Sequence, residues 1–230
     1  VARHAERGGD AGAGRVAETV NIHADLVVAQ AHALLHGLDD ALVGLVRHEE
    51  LHLLAADALR RGVLSGPVGG TVMSNLGLEQ SLKAKGVEFL RAPVGDRNVL
   101  NLLKERGGQL GGETSGHIIN LAATTTGDGL ITALQVLAVM QSSGRSLSEL
   151  AGTMPAYPQV LVNVRMESRP DVDTDPGIRA AVAAVERELG DNGRVVLRPS
   201  GTEPVVRVMV EGREAGQIER LAETIADAVK

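Results

Sequence analysis

Two arginines, two hydroxyls and a glycine crowd into one short stretch of this chain, Arg198-Pro-Ser-Gly-Thr-Glu-Pro-Val-Val-Arg207. Apolar runs flank it, Val195-Val-Leu197 before and Val205-Val-Arg-Val-Met-Val210 after. Arg198 and Arg207 carry planar forks that match phosphate oxygens. Ser200 and Thr202 offer hydroxyls, Gly201 lets the backbone turn and come close to a ligand, and the turn leaves N–H groups free. That is the chemistry of an anion cradle. Composition alone does not separate it from an ordinary hairpin turn, because short Gly/Ser loops are common.

A second polar loop is Gly112-Glu-Thr-Ser-Gly-His117. Glu113 can accept two hydroxyl hydrogens, and Ser115 can both donate and accept, which is what sugar hydroxyls need. Gly111, Gly112 and Gly116 would let such a loop approach a ring closely. His117 taken alone reads as a satisfied histidine at the start of a strand. In Val94-Gly-Asp-Arg97, Arg97 is placed to reach a phosphate and Asp96 to orient it. An exposed ion pair, worth little, is an equal reading. Asp128, in Thr-Gly-Asp-Gly, reads as a helix cap rather than a metal ligand. His48-Glu-Glu-Leu-His52 has the outline of a His-Glu-x-x-His zinc motif. No third ligand is evident, and His4, His23, His32 and His36 crowd the same region, so a solvated helix with scattered histidines is the plainer expectation.

The elements that must position these loops follow a βα alternation. Strands are expected at Val68–Met73, Val87–Arg91 and Ile118–Ala122, and helices at Gly77–Lys85, Asn98–Arg106 and Asp128–Gln141. The end of an earlier helix is expected at Leu54–Arg61, closed by Gly62. The pattern argues a mostly parallel sheet with helices on both faces and ligands in the loops beyond the strand ends. Residues 142–158 read as a boundary. Beyond it, strands at 159–165, 194–198 and 205–210 alternate with helices whose apolar stripes are Ile178, Ala181, Val182, Val185, Leu189 and then Ile218, Leu221, Ile225, Val229. This is a small α+β unit with an antiparallel sheet and helices on one face. Before residue 54, Val27–Leu38 could form an amphipathic helix.

The 230 residues suffice for one or two domains with a sizeable core. A net charge of −6 argues against a general nucleic-acid or anionic-membrane binder. Only Phe89 and Tyr157 are aromatic, so no stacking platform for single strands exists. There is no cysteine, hence no disulfide framework and no thiolate metal site. No apolar run reaches membrane-spanning length and no secretory signal opens the chain, so no membrane partner and a cytoplasmic location are expected.

Four blocks taken together are similar to the phosphohexomutase family, and within it to the bacterial phosphoglucosamine mutases. They are Arg198–Pro204 with the following Val206–Gly212, Gly112–His117, Thr124–Gly129, and Gly70-Thr-Val-Met-Ser-Asn-Leu-Gly-Leu78. The resemblance runs from about Leu54 to Lys230. It implies a partial three-layer α/β sugar-binding domain over 54–156, incomplete at its start and exposing a sheet edge, and a C-terminal α+β phosphate-binding domain over 157–230. It further implies a phosphate cradle of Arg198, Ser200, Gly201, Thr202 and Arg207. Glu113 and Ser115 would hold sugar hydroxyls, Asp96 and Arg97 would contact substrate, and His117 would serve as an accessory acid/base or orienting group.

The implied reaction interconverts glucosamine 6-phosphate and glucosamine 1-phosphate through a phosphoserine enzyme and a bisphosphate intermediate, with magnesium as cofactor. Neither the serine loop nor the Asp-Gly-Asp metal loop is found in the chain; the pair Asp39-Asp40 lacks the spacing. The chain is therefore expected to be a C-terminal fragment, binding a hexosamine phosphate weakly and relying on absent N-terminal domains for turnover. The opening Val1 in place of Met fits that expectation. Residues 1–53 are unmatched and read as an out-of-frame or otherwise unrelated segment. The rival readings are a phosphomannomutase or phosphoglucomutase relative, and a non-catalytic sugar-phosphate-binding module.

Overall fold

The computed structural model describes residues 48–166, 172, 174–200 and 203–230. The helix expected over Val27–Leu38 and the histidines His4, His23, His32 and His36 lie outside the described residues.

Helix α1, His48–Arg60, opens with Glu49 and Glu50 and closes with Arg60, the charge order that suits the helix dipole. Its buried side includes His48, Leu51, His52 and Ala55, the helical spacing of a core-facing stripe. Gly62, at φ +70°, then turns the chain away, as its type suggested. The helix runs continuously through residue 54, where the family likeness was expected to begin. His48 and His52 are buried, not solvated as the sequence suggested. His52 Nε2 lies 2.8 Å from Ser81 Oγ and 3.3 Å from Lys85 Nζ, so the motif's second histidine is spent on packing α1 against its neighbour. Among the described residues, no group of three His, Cys, Asp or Glu could hold a metal.

The first sheet holds β1 (Val68–Thr71), β2 (Phe89–Ala92), β3 (Leu110–Gly112) and β4 (Ile118–Asn120), in the order β2-β1-β3-β4. β1 runs parallel to β2 and β3, and β4 turns back antiparallel on β3. Helix α3 (Asp96–Arg106) covers one face, packing Val99 and Leu103 with Ala92 and Ile119. On the other side α1 meets α2 (Leu76–Ala84), α4 (Gly129–Ser143) and β3. β3 was not foreseen. Its Leu-Gly-Gly sequence reads as a loop, yet a Cβ on Gly111 would stand 2.8 Å from the Gly69 carbonyl and 2.9 Å from Val99. Gly111 therefore serves close sheet and helix packing, and a Cβ on Gly112 would stand 2.7 Å from Ile118 of the adjoining strand. The stretch read as a boundary also contains a short helix, α5 (Leu147–Ala151), started by a reciprocal capping box between Ser146 and Glu149.

The second sheet is antiparallel throughout, with β5 (Gln159–Arg165), β6 (Gly193–Pro199) and β7 (Val205–Gly212) in the order β5-β7-β6. Helices α6 (Pro176–Leu189) and α7 (Ala215–Val229) supply Ile178, Val185, Ile218 and Ile225 to a core shared with Val206, Val208 and Val210. The strand alternation gives the sheet one apolar face and leaves the other polar. The sheets meet where α2 begins. Asn75 caps that helix through Gly77 N (2.9 Å) while exchanging hydrogen bonds with the Tyr157 main chain, donating to its carbonyl (2.8 Å) and accepting from its N–H (3.0 Å). A side chain at Gly77 would collide with the Pro155 carbonyl at 1.7 Å, so only glycine fits this crossing. No helix among the described residues is long and apolar enough to cross a membrane.

Burial, aided by Arg91 and Arg194, lowers the His48 pKa to about 4; burial and Lys85 do the same for His52, also to about 4. Both imidazoles are thus neutral in the fold, whereas the unfolded chain protonates them near 6.5. As pH falls from 6.5 toward 4 the unfolded state gains protons that the folded state refuses. Stability is therefore full above that window and lost through it, by roughly 3 kcal/mol per imidazole. The urea midpoint is expected to fall between pH 7 and pH 5, before most carboxylates titrate. His48→Leu should flatten part of that slope; an unchanged slope would show that His48 takes up its proton in the folded chain.

Candidate functional site

Because β1, β2 and β3 are parallel, the loops after all three leave the same end of the sheet. The loop after β3 is the turn of the β3–β4 hairpin, Glu113–His117. The Glu113 and His117 main chains bond each other (3.2 Å), and Gly116 N donates to the Glu113 carbonyl (3.1 Å) with Gly116 at φ +93°. A left-handed residue there is what brings the loop's side chains together.

Ser115 Oγ lies 2.5 Å from Glu113 Oε1 and 3.0 Å from His117 Nδ1, and the Glu113 and His117 polar atoms are 3.6 Å apart. The three candidate residues thus form one hydrogen-bonded chain. Glu113 is its anchored end, with a side chain 10% exposed. Its other oxygen, Oε2, accepts from Gly95 N (3.0 Å), tying the loop after β2 to the loop after β3. His117 is the open end, 59% exposed. A sugar hydroxyl meeting this chain would find a buried carboxylate acceptor, a two-way hydroxyl and a reachable imidazole.

Asp96 and Arg97 do not form the ion pair that was one of the two expectations. Asp96 opens α3 and its Oδ1 accepts from the Arg97 backbone N–H at 2.7 Å, so the carboxylate does not grip the guanidinium. Arg97 is exposed on the same rim. Asp128 caps α4, its Oδ1 accepting from Ile131 N at 2.9 Å, as the sequence suggested.

On the other sheet, Arg198 on β6 stands directly opposite Arg207 on β7. Directly opposed residues share a face. Burial and the Arg207 charge push the Arg198 pKa down. Exposed Glu203 lies 3.5 Å from Arg207, and Arg207 Nε is buried without a hydrogen-bond partner among the described residues. Two cations are held side by side at the mouth of the loop, with Glu203 the one carboxylate paired with either among the described residues. Ser200 is 3% exposed, and its N–H closes the loop on the Val205 carbonyl (2.7 Å). Gly201 and Thr202 lie outside the described residues.

Sequence reasoning passed over three residues of this face. Asn163 on β5 pairs with Arg207, extending the arginine row across the third strand. The exposed alternation of Leu161, Asn163 and Arg165 in Gln159–Arg165 was the available signal. Arg194 and Glu211, two rows further along the same face, form a buried ion pair at 2.7 Å. Their signal was spacing: Arg194 and Arg198 lie four apart on β6, Arg207 and Glu211 four apart on β7, so all four share a face.

Residues 48–157 match the family model described as phosphoglucomutase/phosphomannomutase alpha/beta/alpha domain III, and residues 161–228 match the C-terminal domain of the same family. Phosphoglucosamine mutase 1 of Shewanella amazonensis is 54% identical over 180 residues, which is 78% of this chain and 40% of that protein. Phosphoglucosamine mutase of Shewanella halifaxensis is 48% identical over 225 residues, 94% of this chain and 49% of that protein. The chain thus spans less than half the length of these curated relatives. Coverage of 94% carries the likeness into the segment before residue 48, which the sequence reading set apart. Among solved structures, N-acetylphosphoglucosamine mutase of Aspergillus fumigatus in complex with GlcNAc-6P and magnesium superposes with a TM-score of 0.66 at 20% identity, over 80% of this chain and 46% of that one. At that identity it supports the fold alone.

The opposed arginine pair is expected to bind a small oxyanion. At tenfold its Kd, inorganic phosphate should stabilise the chain by about 1.4 kcal/mol, or about 3–6 °C in Tm. Arg198→Ala should abolish that shift in a thermal melt; a shift that survives the substitution places the anion elsewhere.

Proposed function

The chain belongs to the phosphoglucomutase/phosphomannomutase family, and on that premise we propose that it is the sugar-recognising and phosphate-holding part of a phosphoglucosamine mutase. The observation that carries the reading is the opposed pair Arg198 and Arg207 at the mouth of the 199–204 loop, in a chain 54% identical to a phosphoglucosamine mutase. The substrates are glucosamine 6-phosphate and glucosamine 1-phosphate. In the reaction, a phosphoserine passes its phosphoryl group to one sugar oxygen, and the bisphosphate turns over and returns its other phosphate to the serine. The cradle of Arg198, Ser200, Gly201, Thr202 and Arg207 holds whichever phosphate is not reacting. Two fixed guanidinium groups suit that task, because they recognise phosphate by geometry and charge without regard to the sugar carbon that bears it.

Glu113 holds sugar hydroxyls through its free acceptor capacity, and Ser115 links it to His117, which orients or exchanges a proton at a neighbouring oxygen. Arg97, with Asp96 shaping its turn, lies on the same rim and adds a cation near the sugar. The magnesium of this family has no donor set among the described residues, so no step is assigned to it here. The same holds for the phosphoserine. On this reading both are supplied by an N-terminal partner that this half requires for turnover, in a cytoplasmic setting.

Calorimetric titration of the full 230-residue chain with glucosamine 6-phosphate tests the reading. Saturable binding is expected, weakened at least tenfold by Arg198→Ala, with mannose 6-phosphate and glucose 6-phosphate bound less well. Loss of discrimination among the three sugars would favour a phosphomannomutase or phosphoglucomutase relative. Binding that never becomes turnover on adding the N-terminal half of a relative would favour a non-catalytic module. No saturable binding to any of them would sink the proposal.

A further inference from the structure

Glu211 is fully buried, at 0% exposure, on the polar face of the second sheet. Its carboxylate accepts three hydrogen bonds. Oε1 takes Leu76 N (2.8 Å) and Gln159 Nε2 (2.9 Å), and Oε2 takes Arg194 Nε (2.7 Å). Leu76 is the first residue of α2, so a carboxylate from one sheet sits on the positive end of a helix from the other. Arg194 makes the reciprocal reach. Its two terminal nitrogens donate to the carbonyls of Val72 (2.7 Å) and Ser74 (2.6 Å), in the loop that leaves β1. Arg91 holds the same loop from its own sheet, through the carbonyls of Thr71 (3.0 Å) and Ser74 (2.7 Å), with Glu79 on its other edge (2.7 Å).

The placement of this pair connects the two halves of the candidate site. The loop after β1 leaves the sheet at the end that also carries Glu113–His117. Arg194 and Glu211 lie on the strands and on the face that carry Arg198 and Arg207, four residues away, or about 13 Å at the strand rise. A buried ion pair is a weak stabiliser, since desolvation offsets most of its Coulomb energy, and its better attested use is to fix one arrangement among several. Fork-shaped donation to two fixed carbonyls is directional in a way an apolar contact is not.

We infer that Arg194 and Glu211 are positioning residues: a strut that fixes the arginine row of the phosphate loop relative to the sugar loop. They touch neither phosphate nor sugar themselves. The part concerning ligands rests on the reading proposed above; the part concerning geometry does not.

The chain has no cysteine, so two can be introduced cleanly at exposed helix positions, Glu105→Cys on α3 and Arg187→Cys on α6, and spin-labelled. The dipolar distance distribution is expected to be single and narrow in the otherwise unaltered chain and at least twice as broad with Arg194→Ala. Glu211→Gln, which keeps the shape and loses the charge, is the second variant and should broaden it too. An unchanged width in both folded variants overturns the strut. In parallel, affinity for glucosamine 6-phosphate should fall at least tenfold, while inorganic phosphate, which needs the arginine row alone, should stay within twofold. Equal loss of both ligands, or of neither, overturns the positioning role. If the unaltered chain binds no sugar phosphate, the functional reading fails and the distance measurement alone decides the strut.

Discussion

Main-chain groups taken out of water must find partners, and the turn between β1 and α2 is where this fold meets that demand most sharply. Thr71, Val72 and Ser74 present carbonyls, and Leu76 and Gly77 present helix-start N–H groups, in a seam between two sheets. Leaving one such group unsatisfied costs on the order of 1–3 kcal/mol. Side chains supply the partners in this largely buried turn: Asn75 from within it, Arg91 from the first sheet, Arg194 and Glu211 from the second. Much else follows. Gly77 has no side chain because Pro155 crosses there, and His48 stays neutral because it is buried, with Arg91 and Arg194 adding to the effect. The polar face of the second sheet is turned toward the first because its charges have work at the seam.

That arrangement explains which parts of the fold were legible in the sequence. Helices α2, α3, α4, α6 and α7 announced themselves by apolar periodicity and by their caps, Asp128 among them, because those signals are local. β5 and β7 did so by runs of Val, Leu and Met. β3 stayed hidden because Leu-Gly-Gly has no strand propensity; only the approach of Gly69 and Val99 makes glycine necessary there. Helix α5 was missed although its Ser146–Glu149 capping box was readable, since surrounding Gly, Ser and Thr outweighed it. The burial of α1's opening turn was missed because His48 and His52 looked like part of a solvated, histidine-biased helix, and the groups that meet His52, Ser81 and Lys85, come from a distant part of the chain.

The candidate site divides the same way. Glu113, Ser115 and His117 sit close in sequence, and the hairpin gathers them as the motif suggested. Arg198 and Arg207 are nine residues apart in the chain yet directly opposed, which a strand–loop–strand reading anticipates. For Arg194, Glu211 and Asn163 strand alternation could give the face but not the role. Their roles come from which face of a sheet they occupy and what that face meets, and no local pattern records a meeting between distant segments.

The seam also fixes what light can report. The chain has no tryptophan and one tyrosine, and that tyrosine, Tyr157, lies buried between the sheets. Its hydroxyl donates to Gln80 Oε1 (2.7 Å), accepts from Arg213 Nε (3.0 Å), and its ring lies 5.7 Å from the Arg213 guanidinium carbon. Near-ultraviolet emission from this protein is thus the emission of one phenol, placed by the fold where its two sheets touch, an intrinsic optical gauge of whether they stay together.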